Sequence, residues 1–182
     1  AYKRVKRNRG AAGIDGMTVE EALPWLKEHR GELLRSIREG SYMPNPVRRK
    51  EIPKPDGGVR KLGIPTVVDR VIQQAIAQKL QNIWEPLFSD SSYGYRPKRS
   101  AGQAIQKVKE YAEEGYRYAV SVDLSKYFDT LNHELLMNLL HKQIQDMRVL
   151  SLIKKYLKSG VMENGVVCKT EEGSPQGGLC QA

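Results

Sequence analysis

Residues 120–133 read VSVDLSKYFDTLNH. Apolar and β-branched residues lead from Tyr118 into Asp123, so a strand is expected over 118–123 with an acid at its lip. An acid there can punctuate a turn, because its short side chain bonds nearby backbone. It can also ligate a metal ion, and then it needs partners elsewhere in the chain. Beyond it stand Phe128 and then Asn132, a suitable N-cap for a helix carrying Leu135, Leu136, Leu139 and Leu140.

Composition narrows what surrounds this stretch. The chain has 182 residues, enough for one ordinary domain with a core or for a large piece of a bigger protein. Lys and Arg number 30 against 21 Asp and Glu, a formal net charge of +9, which points to a polyanionic partner. No apolar run approaches the length of a bilayer span, and no signal peptide is visible, so no membrane partner is expected. Cys168 and Cys180 belong to no CxxC pair, which argues against a disulfide framework or a zinc finger. His29, His133 and His141 lack ligand spacing and read as surface or structural residues.

Upstream, AYKRVKRNR (1–9) carries five cations and no acid, and runs into GAAGIDG (10–16), a basic helix or arm followed by a turn. Thr18 and Glu21 have capping-box spacing, but Pro24 would interrupt a helix begun there, so the amphipathic helix is expected from about Pro24 to Gly40. VRRKEIPKPDGGVRKLG (47–63) predicts two strands around an Asp56-Gly57-Gly58 turn. With Gly57 at the centre, Ile52 faces Leu62 and Lys54 faces Arg60. Helices are expected from Pro65 to about Pro86, from Ser100 towards Glu114 with Gln103 completing a capping box, and over 146–158. Asn164-Gly165 predicts a second hairpin.

Phosphoryl transfer with two metal ions needs carboxylates, a cationic clamp for phosphates and a surface that fixes the bases. Asp123 offers a carboxylate, Leu124 a neighbouring carbonyl, Lys54 and Arg60 a clamp, and Phe128 an aromatic wall for a sugar. Each alone has a plainer reading: turn, solvated sheet edge, core aromatic. Their order along the chain favours the chemistry.

That order is specific. IPKPDGGVRKLGIPTVVDRVIQQAI (52–76), SSYGYRPKRSAGQAI (91–105), SVDLSKYFDTLNHELLM (121–137) and EGSPQGG (172–178) resemble successive blocks of bacterial group II intron reverse transcriptases, or maturases. NRGAAGIDG (8–16) resembles the extra amino-terminal block of that family. The resemblance implies an α+β right-hand polymerase fold, with fingers over 1–115 and the first part of the palm over 116–182. It implies Asp123 as catalytic metal ligand assisted by the Leu124 carbonyl, and Lys54 and Arg60 as the triphosphate grip. Phe128 would be the gate against a ribose 2′-hydroxyl, and Gln176 would line the nucleotide pocket. Gly13, Ile14, Ile64, Arg70 and Arg96 would hold template RNA.

The implied cofactor is Mg2+, two ions in the complete enzyme. The implied partners are group II intron RNA, an RNA template with a DNA primer, and a dNTP, in a bacterial cytoplasm. The family pattern continues past PQGG to two adjacent aspartates, whereas here GGLCQA (177–182) closes the sequence and no two aspartates adjoin. Asp129 reads as a cap or polar contact. The 182 residues alone are therefore expected not to polymerise, and the apolar face of the palm is expected to promote a homodimer. The competing expectation is an RNA-binding splicing cofactor without polymerase activity, which would have no need of a nucleotide pocket.

Overall fold

The computed structural model describes residues 1–53, 55 and 57–174. Among these described residues, seven α-helices and four strands give an α+β architecture: α1 (Tyr2–Arg7), α2 (Val19–Glu28), α3 (Arg30–Glu39), β1 (Val47–Pro53), β2 (Val59–Ile64), α4 (Val67–Trp84), α5 (Ala101–Glu113), α6 (His133–His141), α7 (Met147–Leu157), β3 (Val161–Glu163) and β4 (Val166–Cys168). A 3-10 turn, Glu85–Leu87, follows α4 and contains Pro86.

Local chemistry sets most helix starts. Thr66, Ser100, Asn132 and Asp146 each cap the helix that follows by accepting a backbone N–H, and Ser100 with Gln103 closes a full capping box. Gly40, at φ 71°, ends α3 in the left-handed conformation that glycine adopts without a Cβ penalty.

The helix expected from Pro24 to Gly40 is instead two. α2 begins at Val19, because Thr18 and Glu21 complete their box with bonds of 2.8 and 3.3 Å, and Pro24 lies inside the helix. An interior proline lacks an N–H and costs about 3 kcal/mol. The cap and the complete burial of Val19 and Ala22 against Val5 and Val67 offset it. The chain breaks at His29, which stacks on Trp25 with ring centroids 4.4 Å apart.

Both predicted hairpins form, and they join into one sheet of order β2-β1-β3-β4 through a parallel pairing of Val47 with Val161. The register of the first hairpin differs from the expected one. Ile52 faces Arg60 and Lys50 faces Leu62, so Arg60 stands opposite an isoleucine; the last pair is Pro53 with Val59, and Lys54 lies outside the described residues.

The strand expected over 118–123 does not form. A strand is defined by the neighbour that takes its N–H and C=O groups, and no strand pairs with this stretch among the described residues. Its apolar side chains lie in solvent, with Tyr118 97 %, Val120 90 % and Val122 82 % exposed.

The core sits where α1, α2, α4 and α7 meet. Val5, Val19, Ala22 and Val67 form one cluster; Val68, Ile72 and Leu152 form the next, flanked by Trp25, Leu33 and Tyr156. Among the described residues no helix is long and apolar enough to cross a membrane.

Candidate nucleotide and nucleic-acid site

The stretch from Asp123 to Leu131 wraps into a turn whose closure is local. The Lys126 carbonyl accepts from the Asp129 N–H at 2.8 Å, the Thr130 N–H at 3.1 Å and the Thr130 hydroxyl at 3.2 Å. Lys126 itself holds φ 51°. From the other side, the Gly173 N–H donates to the Leu131 carbonyl at 2.8 Å and the Ser174 N–H to the Phe128 carbonyl at 2.6 Å. Gly173 is required here: at φ 79°, a Cβ would stand 2.6 Å from the Asp129 carbonyl oxygen. Buried His133 adds a third tie, its Nε2 donating to the Gly173 carbonyl at 2.6 Å. Two separate motifs, VDLSKYFD and EEGS, are thus fastened together by backbone.

This turn borders two cavities. One, of about 470 Å³, is lined by Val122, Asp123, Leu124, Lys126, Tyr127 and Phe128. The other, of about 680 Å³, brings Arg60 and Lys61 of β2 and Arg49 of β1 opposite Lys126, Phe128, Asp129 and Glu172. Lys126 and Phe128 border both. Asp123, Leu124, Phe128 and Arg60 therefore surround adjoining spaces, and Asp129 faces the second. Phe128 is 36 % exposed and packs edge-on against Tyr127, ring centroids 5.4 Å apart. Gln176 and Lys54 lie outside the described residues.

Asp123 is exposed, and its carboxylate and the Leu124 carbonyl are hard oxygens of the kind Mg2+ takes. They fit that ion in kind and fall short of its six ligands in number. No group of three or more His, Cys, Asp or Glu placed to hold a metal occurs among the described residues.

The residues expected to hold template divide into backbone and side-chain cases. Gly13 is buried where a Cβ would stand 2.6 Å from the Thr66 Cα, so the amino-terminal loop lies directly on the entry to α4; Ile14, next to Gly13, and Ile64, two residues before Thr66, are half-buried. The Arg70 and Arg96 guanidiniums are engaged inside the protein. Arg70 donates through Nη2 to the Ala11 carbonyl at 2.6 Å and packs against Gly10, and burial pushes its pKa down. Arg96, its side chain 7 % exposed, bonds the Glu85 carboxylate at 2.9 Å and the carbonyls of Ser89 and Ser92 at 2.6 and 3.0 Å.

Sequence reasoning missed Asp69. This carboxylate is 1 % exposed and accepts five hydrogen bonds. Oδ1 takes the Tyr42 and Tyr156 hydroxyls at 2.7 and 3.1 Å; Oδ2 takes the Thr66 hydroxyl at 2.7 Å and the Asn45 N–H and Nδ2 at 3.2 and 3.3 Å. It thereby ties α4 to the segment leading into β1 and to the helix leading into β3, the strands behind Arg49 and Val161. Burial first, and the Asp69 charge second, push both tyrosines well above the usual phenol range. A visible signal existed: Thr66 and Asp69 have the spacing of a cap and its third residue.

With the geometry in place, comparison with known proteins defines the class. A family model for reverse transcriptase (RNA-dependent DNA polymerase) matches residues 52–180, and the chain belongs to that family. Within it, the chain is 39 % identical over 181 residues to group II intron-encoded protein LtrA of Lactococcus lactis subsp. cremoris, covering 98 % of this chain and 30 % of LtrA. It is 39 % identical over 171 residues to protein YkfC of Escherichia coli (strain K12), covering 92 % of this chain and 45 % of YkfC. A putative COX1/OXI3 intron 2 protein of Saccharomyces cerevisiae is 32 % identical over 183 residues, with 98 % and 21 % covered. The chain thus spans less than half the length of each of these relatives.

Proposed function

We propose that the chain is the nucleotide- and template-holding part of an RNA-directed DNA polymerase encoded by a bacterial group II intron, acting in the cytoplasm and also gripping intron RNA to assist splicing. Residues 1–115 serve as fingers and 116–182 as the first part of the palm. The observation that carries this reading is the pair of cavities that share Phe128 and Lys126 as lining, one bordered by Asp123 and the other by Arg60.

There Asp123 and the Leu124 carbonyl hold one side of a magnesium site, completed by oxygens beyond the described residues. The ion, when bound, neutralises charge on the triphosphate. Arg60, with Lys54, grips the phosphates, Phe128 lies against the sugar and rejects a 2′-hydroxyl, and Gln176 meets the base pair. Arg70 and Arg96, spent on the protein itself, act on the template by holding the loops that touch it. Gly13 and Ile14 form the lid over α4, and Ile64 lies under the template.

The net charge of +9 and the exposed cations of α1 suit an RNA backbone. Fluorescence anisotropy with a labelled RNA template annealed to a DNA primer tests this. The dissociation constant should rise by about 10-fold or more between 50 and 200 mM salt, as release of several counterions requires. Binding indifferent to salt would sink the nucleic-acid reading.

A further inference from the structure

Lys126 has no role in the reading just given, yet its setting is unusual. It holds φ 51°, a left-handed conformation that a residue with a Cβ adopts at a penalty and glycine adopts freely. Three donors to its carbonyl fix it there, so the strain is imposed by the turn and is not a frayed end. No hydrogen bond or ion pair to its ammonium is found among the described residues. It is the cation of the Asp123 cavity and also borders the cavity of Arg60 and Lys61.

A triphosphate whose sugar lies on Phe128 and whose far end reaches Arg60 crosses from one space to the other, and Lys126 stands at that crossing. We infer that Lys126 is a phosphate-binding residue whose ammonium contacts the polyphosphate of an incoming nucleoside triphosphate between Asp123 and the finger cations. Arg49 also borders the cavity of Arg60 and adds to its positive field, its buried Nε 4.0 Å from the Glu163 carboxylate. The inference rests on the nucleotide reading of these cavities.

Glycine at position 126 separates the phosphate role from a structural one, because it removes the ammonium and relieves the backbone together. Lys98 is the control: it too is an exposed lysine in the left-handed region, at φ 62°, and it borders neither cavity. Binding of inorganic tripolyphosphate and of dTTP to the 182-residue chain would be followed by calorimetry at low salt, alongside thermal melts.

Lys126→Gly should raise Tm by about 2–4 °C while weakening both ligands by about 3- to 10-fold. Lys98→Gly should raise Tm similarly and leave binding within about 2-fold, as a distant exposed charge is largely screened. If Arg60→Ala weakens binding and Lys126→Gly does not, the inference fails and the nucleotide reading survives. If Lys98→Gly weakens binding as much as Lys126→Gly, the effect is net charge alone and the inference also fails. Absence of any binding to the unsubstituted chain overturns both.

Discussion

Two regions of this molecule carry similar apolar patterns and meet opposite fates. In α4, Val67, Val68 and Ile72 are buried against Val5, Val19 and Leu152, and the buried Asp69 beside them is saturated with donors. In α5 and the following extended stretch, Ile105, Val108, Tyr118, Val120 and Val122 are exposed, and no described element covers them. Apolar periodicity states which face wants burial. It does not supply the partner, and the hydrophobic gain is realised only when water is removed.

The sharpest way to break the contrast is at Asp69. Asp69→Ala strands the Tyr42, Tyr156 and Thr66 hydroxyls and the Asn45 amide, and should lower stability by about 3–5 kcal/mol in urea unfolding, as loss of one partner from a buried charged network does. A loss below about 1 kcal/mol would mean that the network is not a structural tie. Next comes Gly13→Ala, whose added Cβ meets the Thr66 backbone at 2.6 Å; overpacking of this kind costs about 1–3 kcal/mol. The same substitution at Gly31, where a Cβ meets nothing within 4 Å, should be neutral or stabilising.

A smaller effect follows from pH. Tyr42 and Tyr156 have folded pKa values above the ordinary 10, so the stability they contribute is fully present below about pH 10 and is lost as pH rises beyond it. Melts between pH 8 and 11 should show Tm falling above pH 10, and Tyr156→Phe should reduce that fall.

The smallest expected change is in the exposed stretch: Val122→Ser should alter stability by less than about 0.5 kcal/mol. The same stretch is where the homodimer expected from the sequence would form, because apolar side chains that no described element covers invite a second chain. Val120→Lys should abolish any concentration-dependent rise in light scattering without changing Tm.

The candidate site was readable in part for the same physical reason. Asp123, Leu124 and Phe128 lie close along one turn, and their common cavity follows from sequence proximity. Arg60 could be named as a cation on a hairpin. That it faces Ile52, and that Arg49 and Lys126 share its cavity, depended on register and on a parallel strand pairing across more than a hundred residues. Arg96 looked free for template because its cationic type is visible and its Glu85 partner is not.

What the sequence determined alone is whatever closes within a few residues: the caps at Ser100 and Asn132, the left-handed stop at Gly40, both hairpins, and the order of motifs that marks the reverse transcriptase family. Donors and acceptors there are neighbours in the chain, so composition and spacing suffice. Tertiary structure alone decided that Pro24 stays inside a helix, that Asp69 gathers three distant segments, and that Tyr118–Asp123 pairs with no strand among the described residues. Each depends on what lies alongside in space. A backbone group or an apolar face carries no record of its partner until the chain has brought one to it.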